Sequence, residues 1–256
     1  MRIDPSIHEA WFDLGLLYKW SRRWEGALDC NLRAAELVGE RADEPAWWNL
    51  GIAATALRRW EIARRAWRAY GLDVPDGEGE VVCSYGRGPV RLNPHGDGEV
   101  VWGDRIDPAR MKIISIPFPQ SGHRWGDIVL NDGAPSGYRE SRGQQLPVFD
   151  ELERWQPSST PTLQAAVSAP SIDDVDELLG ALAPAALAIE DWTRNVRALC
   201  VRCSEGVVHG EHTEAAIETG REHLIGIAGQ IDAVHPVVAE WERAEGRRCH
   251  SLELVG

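Results

Sequence analysis

Residues 11–18, Trp-Phe-Asp-Leu-Gly-Leu-Leu-Tyr, and residues 47–54, Trp-Trp-Asn-Leu-Gly-Ile-Ala-Ala, carry Trp, Leu and Gly at one common spacing. Trp11 and Trp47, Gly15 and Gly51, and Ala27 and Ala63 are each 36 residues apart, which marks an internal repeat. One copy holds Trp11, Leu14, Gly15, Tyr18, Ala27 and Ala34; the other holds Trp47, Leu50, Gly51, Ala54, Ala63 and Tyr70. The pattern predicts two helix–turn–helix units, with helices over about 5–20, 24–38, 45–57 and 60–71. Pro5 and Pro45 suit a first helical turn, Asp4 and Glu44 suit its positive end, and Gly71 suits a left-handed cap. Small residues at 15, 27, 51 and 63 allow paired helices to approach, and Trp11, Trp24, Trp47, Trp60 and Trp67 fill the space between them.

This spacing resembles the tetratricopeptide repeat family over residues 1–72 of the 256. The sequence departs from that pattern at Asn31, where a large aromatic is usual, and at Ala54, where Tyr is usual. Two repeats are also fewer than the three or so that bury a continuous core, so the following domain is expected to cap the last helix. The resemblance implies that the first helix of each repeat lines a groove, placing Phe12, Leu16 and Lys19 beside Trp48, Ile52 and Thr55, with Glu9 at its end. That face is largely apolar and lacks the basic clamp by which some relatives hold a terminal carboxylate, since Phe12, Leu16 and Asn49 occupy those places. Either the face receives an apolar-anchored partner, or the chain's own C-terminal domain covers it.

Beyond the repeats the composition shifts. Through Leu72 there are 11 Lys and Arg against 10 Asp and Glu; the remainder holds 16 against 30, and the whole chain carries −13. This balance disfavours broad nucleic-acid binding, because phosphate contacts need an excess of clustered Lys and Arg, and it favours a basic partner. No apolar run approaches a membrane span, and no charged-then-apolar leader opens the chain, so a cytoplasmic protein is expected. Five cysteines without a dense framework read as reduced thiols or a metal site rather than a disulfide scaffold.

Asp73 to Gly79 is rich in Gly and acid and reads as a linker. Short β-type runs follow at 81–83, 90–92, 99–102, 112–116, 127–130 and 146–149, with Asn93-Pro94, Asp97-Gly98 and Asp132-Gly133 as turns between them. They predict a small antiparallel β domain over 80–155, as sheet or barrel. Residues 161–256 then read as strand 162–168, helix 172–182, strand 185–200, strand 222–228, helix 231–244 and strand 250–255. That βαββαβ order is the ferredoxin-like arrangement, so the whole chain is expected to be a multidomain α+β protein.

Two constellations could carry chemistry. Cys200, Cys203, His209 and His212 offer two thiolates and two imidazoles, a set able to close a tetrahedral structural zinc site on a hairpin; Cys249, His250 or His223 could replace one of them. A closed sphere of four protein ligands leaves no position for activated water, so this zinc would staple the fold. His95, Asp97, His123, Asp127 and Asp132 could meet as a metal or acid–base cluster, the basis of an alternative in which the middle domain is a metal-dependent enzyme acting on a small substrate. No nucleophile elbow, phosphate loop, His-Glu-x-x-His or dinucleotide glycine motif occurs. The leading expectation is a non-enzymatic protein-binding protein, an adaptor or an inhibitor of the immunity type, that recognises a specific basic partner.

Overall fold

The computed structural model describes residues 5–96, 98–141, 143–194 and 222–256, and shows a mixed α+β chain with six helices and two sheets among them. Four helices come first: α1 (His8–Trp20), α2 (Trp24–Val38), α3 (Pro45–Ala56) and α4 (Trp60–Tyr70). Pro45 occupies the first turn of α3, where its missing N–H costs nothing, and Gly71 closes α4 with a left-handed φ of 108°. Pro5 lies in a turn ahead of α1 rather than within it.

Both helical pairs repeat one contact. A Cβ on Gly15 would meet the Asn31 side chain at 2.6 Å, and one on Gly51 would meet the Trp67 ring at 2.5 Å. The residue 16 positions after each glycine therefore packs directly against the bare backbone of the preceding helix. Helix α3 is buried almost all round, from Ala46 and Trp47 through Leu50–Thr55. A helix that is apolar on every side needs cover on every side, and α3 receives it from α2, α4 and the next domain.

The chain then crosses α4 as an extended strap over 73–80 and enters a closed barrel of β1 (Arg87–Leu92), β2 (Glu99–Arg105), β3 (Arg110–Ile113), β4 (Ile128–Ser141) and β5 (Gln144–Gln156). Each consecutive pair is antiparallel. An odd number of strands in such a meander leaves the first and last pointing the same way, and β1 accordingly closes on β5 in parallel at Val90 and Phe149. Val90, Leu92, Val101, Met111, Ile113 and Val129 fill the interior. The run 81–83 forms no strand, and β4 and β5 are far longer than expected.

One irregularity in the barrel positions the site described below. Between the pairs Asn131–Glu151 and Pro135–Phe149, β4 advances four residues while β5 advances two. The surplus on β4 is a bulge containing Asp132, Gly133 and Ala134, and bulges re-aim side chains. This one turns Asp132 and Gly133 onto α1 and α3, where Lys19 and Trp48 meet them.

The last domain is a four-stranded antiparallel sheet of order β7-β8-β6-β9, built from β6 (Thr162–Ser168), β7 (Ala188–Asp191), β8 (Glu222–Ala228) and β9 (Arg248–Leu254). Helices α5 (Ile172–Leu182) and α6 (Ile231–Trp241) pack on it around Leu163, Val167, Val175, Leu178, Ile225 and Val234. Ser171 caps α5 in a reciprocal box with Asp174. Trp192 joins the sheet to the barrel: its ring lies 5.1 Å from that of Phe118, and its Nε1 donates to Ile116 O at 3.0 Å.

Candidate protein-binding site

The barrel seals much of the inner face of the helical pairs, so among the described residues the middle domain supplies the cover and not the C-terminal one. Trp155 Nε1 donates to Ala56 O at 3.2 Å, Trp24 Nε1 donates to Glu153 at 2.9 Å, and the Trp60 and Trp155 rings meet edge to face at 6.2 Å. Arg110 stacks between those last two rings, 4.9 and 4.7 Å from their centroids, while its guanidinium pairs with the buried Asp107 and with Glu80.

What the barrel leaves open is a cavity of about 420 Å³ between α1, α3 and the β4 bulge. Successive turns of α1 present Phe12, Leu16 and Lys19, and α3 presents Pro45 with Trp48 and Asn49, three and four residues on. Trp20, at 49% exposed, stands at the rim. Trp48 packs edge to face on Tyr70, with centroids 4.8 Å apart, and its indole nitrogen is buried without a hydrogen-bond partner against the bare Gly133.

The floor is charged and buried. Lys19 Nζ donates to Asn49 Oδ1 at 2.9 Å and to Asp132 Oδ1 at 2.8 Å; that same carboxylate oxygen accepts the Gly133 N–H at 2.7 Å. Asn49 Nδ2 in turn donates to Pro45 O at 3.0 Å, which fixes the amide. The Lys19 ammonium lies 4.7 Å from the centroid of the Trp20 ring. Charge is thus neutralised within the floor, and the walls above it are aromatic and aliphatic, the make-up of a site that holds an apolar group and orients it with a few polar atoms.

Of the six residues expected to face a partner, Phe12, Leu16, Lys19 and Trp48 line this cavity. Ile52 and Thr55 are fully buried in the seam with the barrel and present nothing to solvent. Asn49 and Pro45 also line it, as do Trp20, Tyr70, Asp132, Gly133 and Ala134, which were not foreseen as part of it. The sequence held one signal for this: residues 45–57 contain no charge, so no side of α3 was made for water.

The other candidates are placed differently. His123 Nε2 lies 2.7 Å from Glu151 Oε1, and its Nδ1 lies 2.9 Å from Ser121 O. Burial pulls the His123 pKa down, but the hydrogen bond and charge of Glu151 outweigh it and the value lies above that of an ordinary histidine. Asp127 caps backbone: its carboxylate accepts the N–H groups of Ser158 and Arg124 at 2.6 and 3.0 Å. His95 lies exposed in the β1–β2 turn, and Asp97 lies outside the described residues. The fold therefore does not gather His95, His123, Asp127 and Asp132 into one cluster, and among the described residues no group of three or more such side chains is placed to hold a metal. Cys200, Cys203, His209 and His212 all lie outside the described residues. His223, expected as a substitute ligand, pairs with Asp191 at 2.8 Å, and Arg194 holds the same carboxylate at 2.7 Å.

No protein-family model matches the chain, and no curated protein matches it. Among solved structures it is similar to a hypothetical protein from Neisseria gonorrhoeae, at 16% identity over 66% of this chain and 93% of that one, with a TM-score of 0.28. No helix among the described residues is long and apolar enough to cross a membrane.

Proposed function

We propose that this chain is a non-enzymatic protein-binding protein, an adaptor or an inhibitor of the immunity type, acting in the cytoplasm on a specific basic partner. The observation that carries the reading is the half-open aromatic cavity between the helical pairs and the barrel, with exposed Trp20 at its rim and the neutralised Lys19–Asp132 floor beneath. Buried aromatic anchors of this kind dominate the energy of protein interfaces. The helical pairs are read as two tetratricopeptide repeats, supported by the 36-residue spacing and by the matching Gly15–Asn31 and Gly51–Trp67 contacts. The last domain is read as ferredoxin-like, supported by its strand order and its two helices.

A net charge of −13 concentrated beyond Leu72 would steer a basic partner toward the chain, an effect that weakens as salt is raised. Affinity capture from the native host should recover one stoichiometric partner, lost with Leu16→Glu and with rising salt. Absence of such a partner, or binding indifferent to salt, overturns the reading. A structural zinc on Cys200, Cys203, His209 and His212 belongs to the same proposal. Metal analysis should give one zinc per chain, lost in Cys200→Ser; an unchanged zinc content would exclude it.

A further inference from the structure

The cavity between α1, α3 and the β4 bulge holds one acceptor that its own floor does not use. Asp132 Oδ1 takes two donors, Lys19 Nζ at 2.8 Å and the Gly133 N–H at 2.7 Å. Its sister oxygen Oδ2 accepts no hydrogen bond from any described residue. Nor is Oδ2 among the unpartnered side-chain atoms that are sealed from solvent. The Asp132 side chain is 7% exposed and lines the cavity, so this oxygen opens into it. A carboxylate oxygen so deeply set has room for little water, and a donor brought to it forms a strong, charge-assisted bond.

The rest of the lining decides which donor fits. Lys19 and Asp132 are the only charged lining residues among those described, and they are in contact, so the cavity as a whole is neutral. An incoming ammonium or guanidinium on Oδ2 would place two cations on a single carboxylate in a site of low dielectric. The Trp20 ring, whose centroid is 4.7 Å from Lys19 Nζ, already serves that ammonium. An incoming carboxylate would meet Oδ2 itself, oxygen against oxygen. A neutral N–H or O–H meets neither objection. Phe12, Leu16, Trp48 and Tyr70 supply ring and aliphatic contacts for the body that carries it, and a volume of about 420 Å³ is that of a small-ligand site.

We propose that the cavity takes a tryptophan or tyrosine side chain of the partner, its ring among Phe12, Leu16, Trp48 and Tyr70 and its indole N–H or phenol O–H donating to Asp132 Oδ2. Both side chains join a large apolar body to one neutral donor, and both are frequent anchors of protein interfaces. The partner's basic charge then lies outside the cavity, where the chain's excess of acid steers it. This inference rests on the protein-binding reading and names the group that the site recognises.

The test uses side-chain analogues on the full native chain, so that its main contrast needs no variant. The probes are 3-methylindole and p-cresol, their donor-blocked forms 1,3-dimethylindole and 4-methylanisole, and n-butylammonium, each titrated by ligand-observed NMR. Saturable binding of 3-methylindole or p-cresol is expected, about tenfold tighter than that of its methylated form and lost in Leu16→Glu. No saturable binding of either donor, equal affinity for the blocked forms, butylammonium bound as tightly as the donors, or affinity unmoved in Leu16→Glu would overturn it. A partner captured through Leu16 by a chain that binds none of the analogues overturns this inference alone; failure to capture any partner overturns the reading beneath it.

Discussion

Lys19 takes a full charge into the seam between two domains, and its value there depends on Asp132. The ammonium and carboxylate side chains are only 5% and 7% exposed, so neither is rescued by water if the other is removed. Lys19→Met is expected to destabilise the chain by about 3–5 kcal/mol in denaturant unfolding, and Lys19→Met combined with Asp132→Leu to recover most of that loss. A glycine pair gives a sharper contrast. A Cβ on Gly133 would lie 1.6 Å from Trp48 Nε1, whereas Gly180, inside α5, has nothing within 4 Å. Gly133→Ala should therefore lower stability by about 1–3 kcal/mol through displacement of Trp48. Gly180→Ala should raise it by up to about 1 kcal/mol. Thermal unfolding of the two variants checks both signs.

At the scale of elements, the one-turn 3-10 helix Pro119–Ser121 and strand β5 are joined through His123 and Glu151, with Glu151 Oε2 also accepting the Asn93 N–H at 3.1 Å. Because the folded pKa of His123 is raised, its stabilising contribution is complete below the unfolded value of about 6.5 and fades as pH rises through the higher folded value. Stability measured from pH 6 upward should show that decline in the native chain, and His123→Gln should remove it. The helices were legible because their signals are local, in the paired spacing, Pro45 and Gly71. The barrel was less so. Asp132-Gly133 reads as a turn between strands, yet it sits in a bulge within the long strand β4. Only the closure of the sheet distinguishes a bulge from a turn there, and closure is not a local property.

On the scale of the whole molecule, the helical pairs form one wall of a composite body. Residues 1–72 alone would expose Ile52, Ala56 and Leu57, which pack into a core shared with Leu130 and Leu152 of the barrel. That fragment is expected to lack cooperative thermal unfolding, whereas residues 1–160 should unfold in one transition; calorimetry distinguishes them. Four of the eleven residues that line the cavity, Phe12, Leu16, Lys19 and Trp48, were implied by the tetratricopeptide resemblance, while Asp132 and Gly133 come from a strand more than 80 residues away along the chain. In the proposed function, a partner engages through the aromatic cavity that this wall leaves open. Its most direct test is the affinity of the captured partner for the native chain and for Trp20→Ala, whose ring is half exposed and whose loss should leave the melting temperature unchanged. A weakening of about thirtyfold is predicted, as for an interface anchor; an unchanged affinity would contradict the account.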